Sequence, residues 1–247
     1  MTWLIDLGNT RLKWARLDGS GGGLVDRGAL AHMDADFEPA FDAALGALPR
    51  ADVALLASVA GDDLTARVSA LVARHGVPGE RVRTRAELAG VRVAYAMPSR
   101  LGVDRFLALL GAHARGAGPW LVASVGTALT IDALGEDGVH RGGLIAPSPG
   151  LMHAALGERA PQLHLAPGRW VDFADDTVDA LTSGCLGAAA ALVERSRARA
   201  TALFGRPPCL LLSGGGAQAL APGLDSPHVA APDLVLEGLA RYAAHVA

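Results

Sequence analysis

Short apolar runs alternate with amphipathic stretches along most of the chain, which is the pattern of an α/β protein. The runs that predict buried strands are free of charge and end at glycine or polar residues: Trp3 to Ile5, Val53 to Val59, Trp120 to Val125 and Cys209 to Leu212. Apolar residues at helical spacing, with alanine-rich stretches, predict these helices: Phe37 to Leu48, Leu64 to Arg74, Phe106 to His113, Leu151 to Arg159, Thr182 to Ala200 and Leu234 to Val246. We expect Asp62 or Asp63 to cap the second helix and Gly76 to close it.

The chain also has two similar openings. The first strand leads through a turn at Gly8 into a second strand, Arg11 to Leu17, and Leu24 to Leu30 returns as a third after the glycine-rich turn at 18–23. The run from Trp120 repeats this order around Gly126, about half of the 247-residue chain later. We predict two similar halves, residues 1–117 and 118–247, with the last helix capping the second. A chance similarity of two strand–turn–strand units is the alternative.

The first turn carries groups suited to phosphate. Gly8 offers an N–H with no side chain in the way, while Asn9 and Thr10 can donate to phosphate oxygens. Asp6 repels phosphate, so it implies a divalent cation between them, and Lys13 adds a positive charge. The alternative is an ordinary hairpin turn, because Gly-Asn is common turn chemistry.

Three further segments carry candidate chemistry. Asp104 and Arg105 lie side by side at a predicted helix start, either as surface capping residues or as a general base beside an anion-binding cation. The run from Ser213 to Gly216 follows a buried strand, a position that suits nucleotide phosphates. Gly142 and Gly143 permit close backbone packing or close approach of a ligand.

Composition narrows the class of protein. Hydrophobic residues make up 51% and charged residues 19%, which predicts a globular chain. The net charge of −3 and the lack of a basic stripe argue against nucleic acid binding. Cys185 and Cys209 read as reduced core residues, and no apolar stretch is long enough to span a membrane. Because the chain enters a strand at once, we expect no signal peptide and a cytoplasmic location.

Taken in order, these motifs resemble those of type III pantothenate kinases, a bacterial enzyme family related to the Bvg accessory factor family. The resemblance runs from residue 4 to about residue 217 and rests on five segments: Asp6–Thr10 and Gly126–Ala128 as phosphate motifs, Gly102–Arg105 with Tyr95 and Pro98 as the substrate motif, Gly142–Pro147, and Ser213–Gly215 on the nucleotide side. Any one of these motifs is commonplace, whereas the ordered set is specific.

The resemblance implies the fold of the acetate kinase, sugar kinase, Hsp70 and actin superfamily, with two ribonuclease H-like halves, mixed sheets flanked by helices, and ATP between the halves. It implies ATP- and Mg²⁺-dependent phosphorylation of pantothenate to 4′-phosphopantothenate, the first step of coenzyme A biosynthesis. It also implies a homodimer whose interface helps to form the pantothenate pocket. The alternatives are a non-catalytic regulator of the same fold and a kinase for a sugar or acetate.

The resemblance assigns roles to individual residues. Asp104 matches the general base that takes the proton of the pantothenate hydroxyl. The substrate pocket takes in Tyr95, Gly102, Val103, Asp104, Arg105 and Thr177. The ATP-binding positions are Asp6, Leu7, Gly8, Asn9, Thr10, Arg11, Leu12, Lys13 and Thr127, and Asp6 is the magnesium position.

One position departs from the family pattern. Two residues before the second Gly-Thr pair, the family often has an aspartate that binds a monovalent cation, and this chain has Ser124. A neutral hydroxyl is a much poorer ligand for K⁺ or NH₄⁺ than a carboxylate. The substitution therefore argues against a monovalent cation requirement.

Overall fold

The computed structural model describes residues 1–18, 23–160, 162–163 and 166–246, so Gly19 to Gly22 of the predicted glycine-rich turn lie outside the described residues. The strands are β1 (Thr2–Leu7), β2 (Arg11–Leu17), β3 (Leu24–Ala31), β4 (Val53–Ser58), β5 (Gly79–Arg81), β6 (Glu87–Leu88), β7 (Val91–Arg92), β8 (Trp120–Val125), β9 (Ala128–Leu134), β10 (His140–Pro147), β11 (Cys209–Ser213) and β12 (His228–Ala230). The helices are α1 (Phe37–Ala47), α2 (Asp62–Arg74), α3 (Val103–Ala114), α4 (Pro149–Arg159), α5 (Thr177–Phe204), α6 (Ala217–Leu220) and α7 (Leu234–Val246), with short 3₁₀ turns at Pro98–Arg100 and Ala221–Gly223.

The chain divides into two compact units, residues 1–116 with 233–247, and residues 117–232. In the first unit the strand order is β3-β2-β1-β4-β5. β1 pairs antiparallel with β2 and parallel with β4, so it lies in the centre of a mixed sheet. The side chains of β1 alternate between two faces, and Trp3, Ile5 and Leu7 pack with α1 and α2 in one apolar core.

The second unit repeats this topology with the strand order β10-β9-β8-β11-β12. β8 pairs antiparallel with β9 and parallel with β11, as β1 does with β2 and β4. Its core is built from β8, β9 and β11 against the buried face of α5. Both units therefore contain the predicted strand–turn–strand opening, and the two sheets have the same strand order and direction.

Two local predictions are wrong. Neither Asp62 nor Asp63 caps α2, because both lie inside its first turn and Gly61 occupies the N-cap without a side-chain hydrogen bond. Cys185 is buried as expected, but Cys209 is exposed because it is the first residue of β11.

Within the described residues, no helix is both long enough and apolar enough to cross a membrane.

The last helix packs on the first unit, so the prediction that it caps the second half is wrong. α7 lies along α3 and reaches β1, which places two helices on the face of the sheet opposite α1 and α2. Arg115, just past the end of α3, donates from Nε and Nη2 to the Glu237 carboxylate at 2.9 and 2.7 Å. Arg27 pairs with Asp233 at 2.7 Å, just before α7 begins.

Two glycines allow α3 and α7 to approach closely. A Cβ built on Gly238 would lie 1.9 Å from the Leu107 carbonyl oxygen, and one on Gly111 would lie 2.5 Å from that of Leu234. Both obstacles are backbone atoms, which cannot rotate away. The position of α3, and of the residues at its start, thus depends on the absence of side chains at this crossing.

We predict that Gly238→Ala separates α3 from α7 and destabilises the protein by about 2 kcal/mol or more, since overpacking forces the backbone to move. This lowers the melting temperature by at least about 4 °C in a chain of this size. Gly187→Ala, in α5, is the control: no described atom lies within 4 Å of its Cβ position. Alanine there is expected to stabilise by about 0.5–1 kcal/mol. Equal melting temperatures for the two variants would contradict the close crossing.

Candidate active site

The first candidate turn joins β1 to β2 and closes on itself. Gly8 donates its N–H to the Arg11 carbonyl oxygen at 2.9 Å. The expectation that this N–H is open to a ligand is therefore wrong, because the hairpin uses it. Asn9 and Thr10 are exposed at the tip of the turn and retain the groups suited to phosphate.

The residue that follows β3 also hydrogen-bonds to this turn. The His32 N–H donates to the Thr10 carbonyl oxygen at 3.2 Å, one step beyond the β2–β3 pairing of Arg11 with Ala31. The His32 ring contacts Phe37 of the core edge-on, with centroids 6.1 Å apart. No local sequence motif marks His32, because its backbone N–H supports the β1–β2 turn, which lies elsewhere in the sequence.

The remaining positions of the first phosphate motif include both buried and exposed side chains. Leu7 and Leu12 are fully buried in the core, so they can offer only backbone groups to a ligand. Arg11 is exposed. The antiparallel register places Lys13 directly opposite Asp6. The hairpin thus presents one acidic and one basic side chain as neighbours at the end of β1.

The pKa of Asp6 is shifted by its burial and by two neighbouring charges. It is half-buried at the end of the central strand. Burial, together with the negative charge of Asp104, raises the pKa of Asp6 to about 7, and the positive charge of Lys13 opposes the shift. Loss of hydration disfavours the charged carboxylate, and a second carboxylate nearby repels it. Asp6 is therefore poised to take up a proton or a cation.

Asp104 and Arg105 lie in the first turn of α3, which begins at Val103. Arg105 is only 6% exposed. Its Nη1 donates to the Tyr95 Oη at 3.2 Å, and its Cζ lies 5.9 Å from the Tyr95 ring centroid. The fold thus brings the predicted substrate motif together with Tyr95 and with Asp6.

The turn of the second unit joins β8 to β9 and also uses its glycine internally. The Gly126 N–H donates to the Ala128 carbonyl oxygen at 2.9 Å. Thr127 is exposed at the tip of this hairpin. The two candidate phosphate turns therefore share a design in which glycine shapes the turn and the following polar residues are presented.

The third glycine loop wraps over the end of β8. Gly214 has φ +90°, and a Cβ there would lie 2.4 Å from the Val125 carbonyl oxygen. The Gly216 N–H donates to that same oxygen at 2.9 Å. Glycine is needed at position 214 for both reasons, and the loop is held beside the Gly126 turn within the second unit.

Two other predicted positions lie in the second unit. Ser124 is half-buried and pairs across strands with Thr130 and with the buried Ser213, so its surroundings contribute hydroxyls rather than charges. Thr177 is the exposed first residue of α5. Asp176 caps this helix by accepting from the N–H groups of Val178 and Asp179 at 2.8 and 3.0 Å. Gly142, at φ +104°, has no described atom near its Cβ position, so close packing does not explain it.

The residues of the first unit fit a divalent cation of the kind that phosphates complete. Among the described residues no group of three or more His, Cys, Asp or Glu side chains forms a full metal cage. Asp6 offers one carboxylate, whose pKa is raised by burial and by the charge of Asp104, while Lys13 opposes the shift. Mg²⁺ is commonly held by one or two carboxylates together with substrate phosphates and water. The donor set therefore suits Mg²⁺ bound with a nucleotide.

Solved structures define the class of fold. A protein of Campylobacter jejuni described as a Baf family transcriptional activator has a TM-score of 0.59 and 19% identity, over 96% of this chain and 94% of its own. A protein of Sinorhizobium meliloti described as a 2-dehydro-3-deoxygalactonokinase has a TM-score of 0.60 and 16% identity, over 99% of each chain. The fold is thus the predicted one, an α/β chain with two ribonuclease H-like parts in which mixed sheets are flanked by helices.

The sequence comparisons identify the family within this class. Residues 3–199 match the profile of type III pantothenate kinases. The type III pantothenate kinase of Xanthomonas campestris pv. campestris strain 8004 is 55% identical over 245 residues, 99% of this chain and 98% of its own. The chain belongs to the type III pantothenate kinase family.

We predict that Asp6→Asn stabilises the ligand-free protein at pH 8 and less so at pH 5. The folded pKa of Asp6, about 7, exceeds its ordinary value of 3.8. Protonation of Asp6 therefore favours the folded state, and this contribution is lost as the pH rises through 7. Asparagine does not titrate, so the variant avoids a cost of about 1–4 kcal/mol at pH 8.

Melting temperatures measured in EDTA at both pH values check this. Asp137→Asn is the control, because the pKa of Asp137 is lowered chiefly by the Val139 N–H and also by Arg141. Its stabilising contribution is already present at pH 5, so this variant is expected to melt lower than the natural protein by a similar amount at both pH values. A gain for Asp6→Asn that is the same at pH 5 and pH 8 would contradict the buried charge.

Proposed function

We propose that this protein transfers the γ-phosphoryl group of ATP to the primary hydroxyl of pantothenate, giving 4′-phosphopantothenate and ADP in the first step of coenzyme A biosynthesis. The observation that carries the proposal is that the family's two acidic positions, Asp6 and Asp104, are electrostatic neighbours within one unit. Two repelling carboxylates in one place cost stability, and the proposed pairing of a general base with a cation-binding residue accounts for that cost. Since ATP is a substrate, the proposal places the enzyme in the cytoplasm.

Asp104 is the general base in this proposal. It accepts the proton of the pantothenate hydroxyl as that oxygen attacks the γ-phosphorus, and the bond from the γ-phosphorus to the β,γ-bridging oxygen breaks to release ADP. General base assistance is typically worth about 10²–10⁴-fold. Arg105 is held by Tyr95 and steadies negative charge on the substrate or the transferring group. Tyr95, Gly102, Val103 and Thr177 complete the pantothenate contacts that the family resemblance assigns.

The phosphate-binding role falls to the two hairpin turns. Asn9, Thr10 and Thr127 provide donors at the exposed tips, and Lys13 adds positive charge beside Asp6. The other positions from Asp6 to Lys13 contribute backbone atoms or, in Arg11, an exposed guanidinium. Asp6 would hold Mg²⁺ together with the phosphates, and the bound ion would supply the neutralisation of phosphate charge that phosphoryl transfer mainly requires. Because Ser124 is a poor ligand for K⁺ or NH₄⁺, the proposal includes no monovalent cation.

The reaction is tested by following ADP formation with pantothenate, common sugars or acetate as the acceptor, and by identifying 4′-phosphopantothenate by mass. Asp104→Asn is expected to lower kcat by about 10²-fold or more and to leave Mg-ATP affinity within a few-fold. Asp63→Asn is the matched control, because Asp63 is also the second residue of a helix that follows a glycine N-cap. Near-normal turnover in Asp104→Asn would remove Asp104 as the base, and turnover with a sugar alone would replace pantothenate.

The proposal includes a homodimer formed through the second unit. α4 has no buried residue, although Leu151 and Leu156 on it are each 45% exposed. Ile145, on the edge strand β10, is 67% exposed. An apolar groove of about 670 Å³ runs between α4 and α5, with Leu151, Leu156 and Leu181 in its walls. An isolated chain rarely leaves such surface in water.

We predict that Leu156→Glu gives a folded monomer, because a charge in an apolar interface loses its hydration. Val229→Glu is the matched control, since Val229 is also 45% exposed but lies on β12 at the other edge of the sheet. Sedimentation velocity at micromolar concentration distinguishes dimer from monomer. A natural protein that is monomeric, or a Leu156→Glu variant that remains dimeric, would contradict this interface.

A further inference from the structure

The N-cap of α3 is a glycine that its backbone conformation does not require. Gly102 has φ −51° and ψ 137°, which any L-residue adopts. Helix N-caps favour Ser, Thr, Asp and Asn, whose side chains accept from the first free N–H groups, and the Gly102 cap has no such hydrogen bond. Neither backbone strain nor capping explains the glycine.

The Asp104 side chain occupies the space beside the Gly102 Cα atom. A Cβ built on Gly102 would lie 2.5 Å from Asp104 Oδ1 and 3.7 Å from its Cγ. Helical side chains lean toward the N-terminus, and here this lean brings the carboxylate over the residue two positions earlier. No side chain at position 102 can coexist with the carboxylate where it stands.

α2 provides an internal comparison. Its N-cap, Gly61, has nearly the same backbone angles, φ −58° and ψ 155°, and Asp63 stands at the same position as Asp104 does in α3. Yet no described atom lies within 4 Å of the Gly61 Cβ position. The folded-back carboxylate is therefore particular to α3 and does not follow from a Gly-x-Asp helix start.

We propose that Gly102 is a positioning residue, whose missing side chain leaves the space in which the Asp104 carboxylate is held near Asp6. This rests on the proposed function, in which Asp104 is the general base. A side chain at position 102 would have to move the carboxylate about 0.9 Å, from 2.5 Å to the ordinary van der Waals contact that begins at 3.4 Å. Misplacing a reacting group by about 1 Å can cost about 10²-fold in rate.

The first test compares Gly102→Ala with Gly61→Ala. Both replace an N-cap glycine at an allowed φ, so both are expected to change the melting temperature by less than about 3 °C. Only Gly102→Ala is expected to lower kcat, by about 10- to 100-fold, with the KM for ATP unchanged. A Gly102→Ala variant with normal kcat, or one whose lost activity is matched by lost folded protein, overturns the inference.

The second test asks whether Gly102 acts through Asp104. Gly102→Ala is made in the natural protein and in the Asp104→Asn background, and kcat is measured for all four proteins. If the glycine only positions the carboxylate, its loss costs less than about 3-fold once the carboxylate is gone, because coupled residues are not additive. The same fold-loss in both backgrounds shows that the missing side chain matters for a reason other than the position of the carboxylate, and overturns the inference.

These outcomes separate this inference from the proposed function. High turnover in Asp104→Asn is a failure of the proposed general base and removes the premise. Low turnover in Asp104→Asn with full turnover in Gly102→Ala leaves the base in place and shows that the carboxylate tolerates a neighbouring methyl group. A crystal structure of Gly102→Ala with Asp104 Oδ1 unmoved contradicts the steric argument by itself.

Discussion

The first unit keeps a half-buried carboxylate, that of Asp6, near the end of its central strand β1. Burial disfavours the ionised form of Asp6, and the neighbouring charge of Asp104 adds repulsion. Lys13, opposite on β2, offsets only part of this cost. A protein selected for stability alone would place an apolar or amide side chain there. The retained charge raises the free energy of the ligand-free protein, and the proposed binding of a cation with phosphates would relieve this cost.

The repulsion between Asp6 and Asp104 persists only if neither side chain can move away from the other. The backbone that carries Asp104 must therefore be held in place. α3 is held along its length by α7, where Gly111 and Gly238 bring the two backbones close. The Arg115–Glu237 pair fixes the end of the same contact. The position of Asp104 and Arg105 at the start of α3 thus depends on the last helix of the chain.

The sequence predicted elements well because apolar runs and helical spacing report burial directly. β2 and α7 have the bounds expected of them, and the repeat of the Gly8 hairpin at Gly126 is real. The wrong predictions concern which groups contact each other. The apolar face of α7 shows that it covers something, not which sheet it covers. Likewise, the pattern of Gly8 could not reveal that its N–H closes the turn, because that depends on the conformation of the turn.

The repeat also shows how two similar halves acquire different chemistry. Asp6 stands two residues before Gly8 on β1, and Ser124 stands two residues before Gly126 on the equivalent strand β8. The topology therefore gives both side chains the same place in a hairpin, and only the first is charged. A hydroxyl can be half-buried beside Thr130 and Ser213 at little cost, since hydroxyls can hydrogen-bond one another. The electrostatic cost at Asp6, where we propose that a metal–nucleotide complex binds, thus has no counterpart at the equivalent position of the second half, which offers neutral hydroxyls.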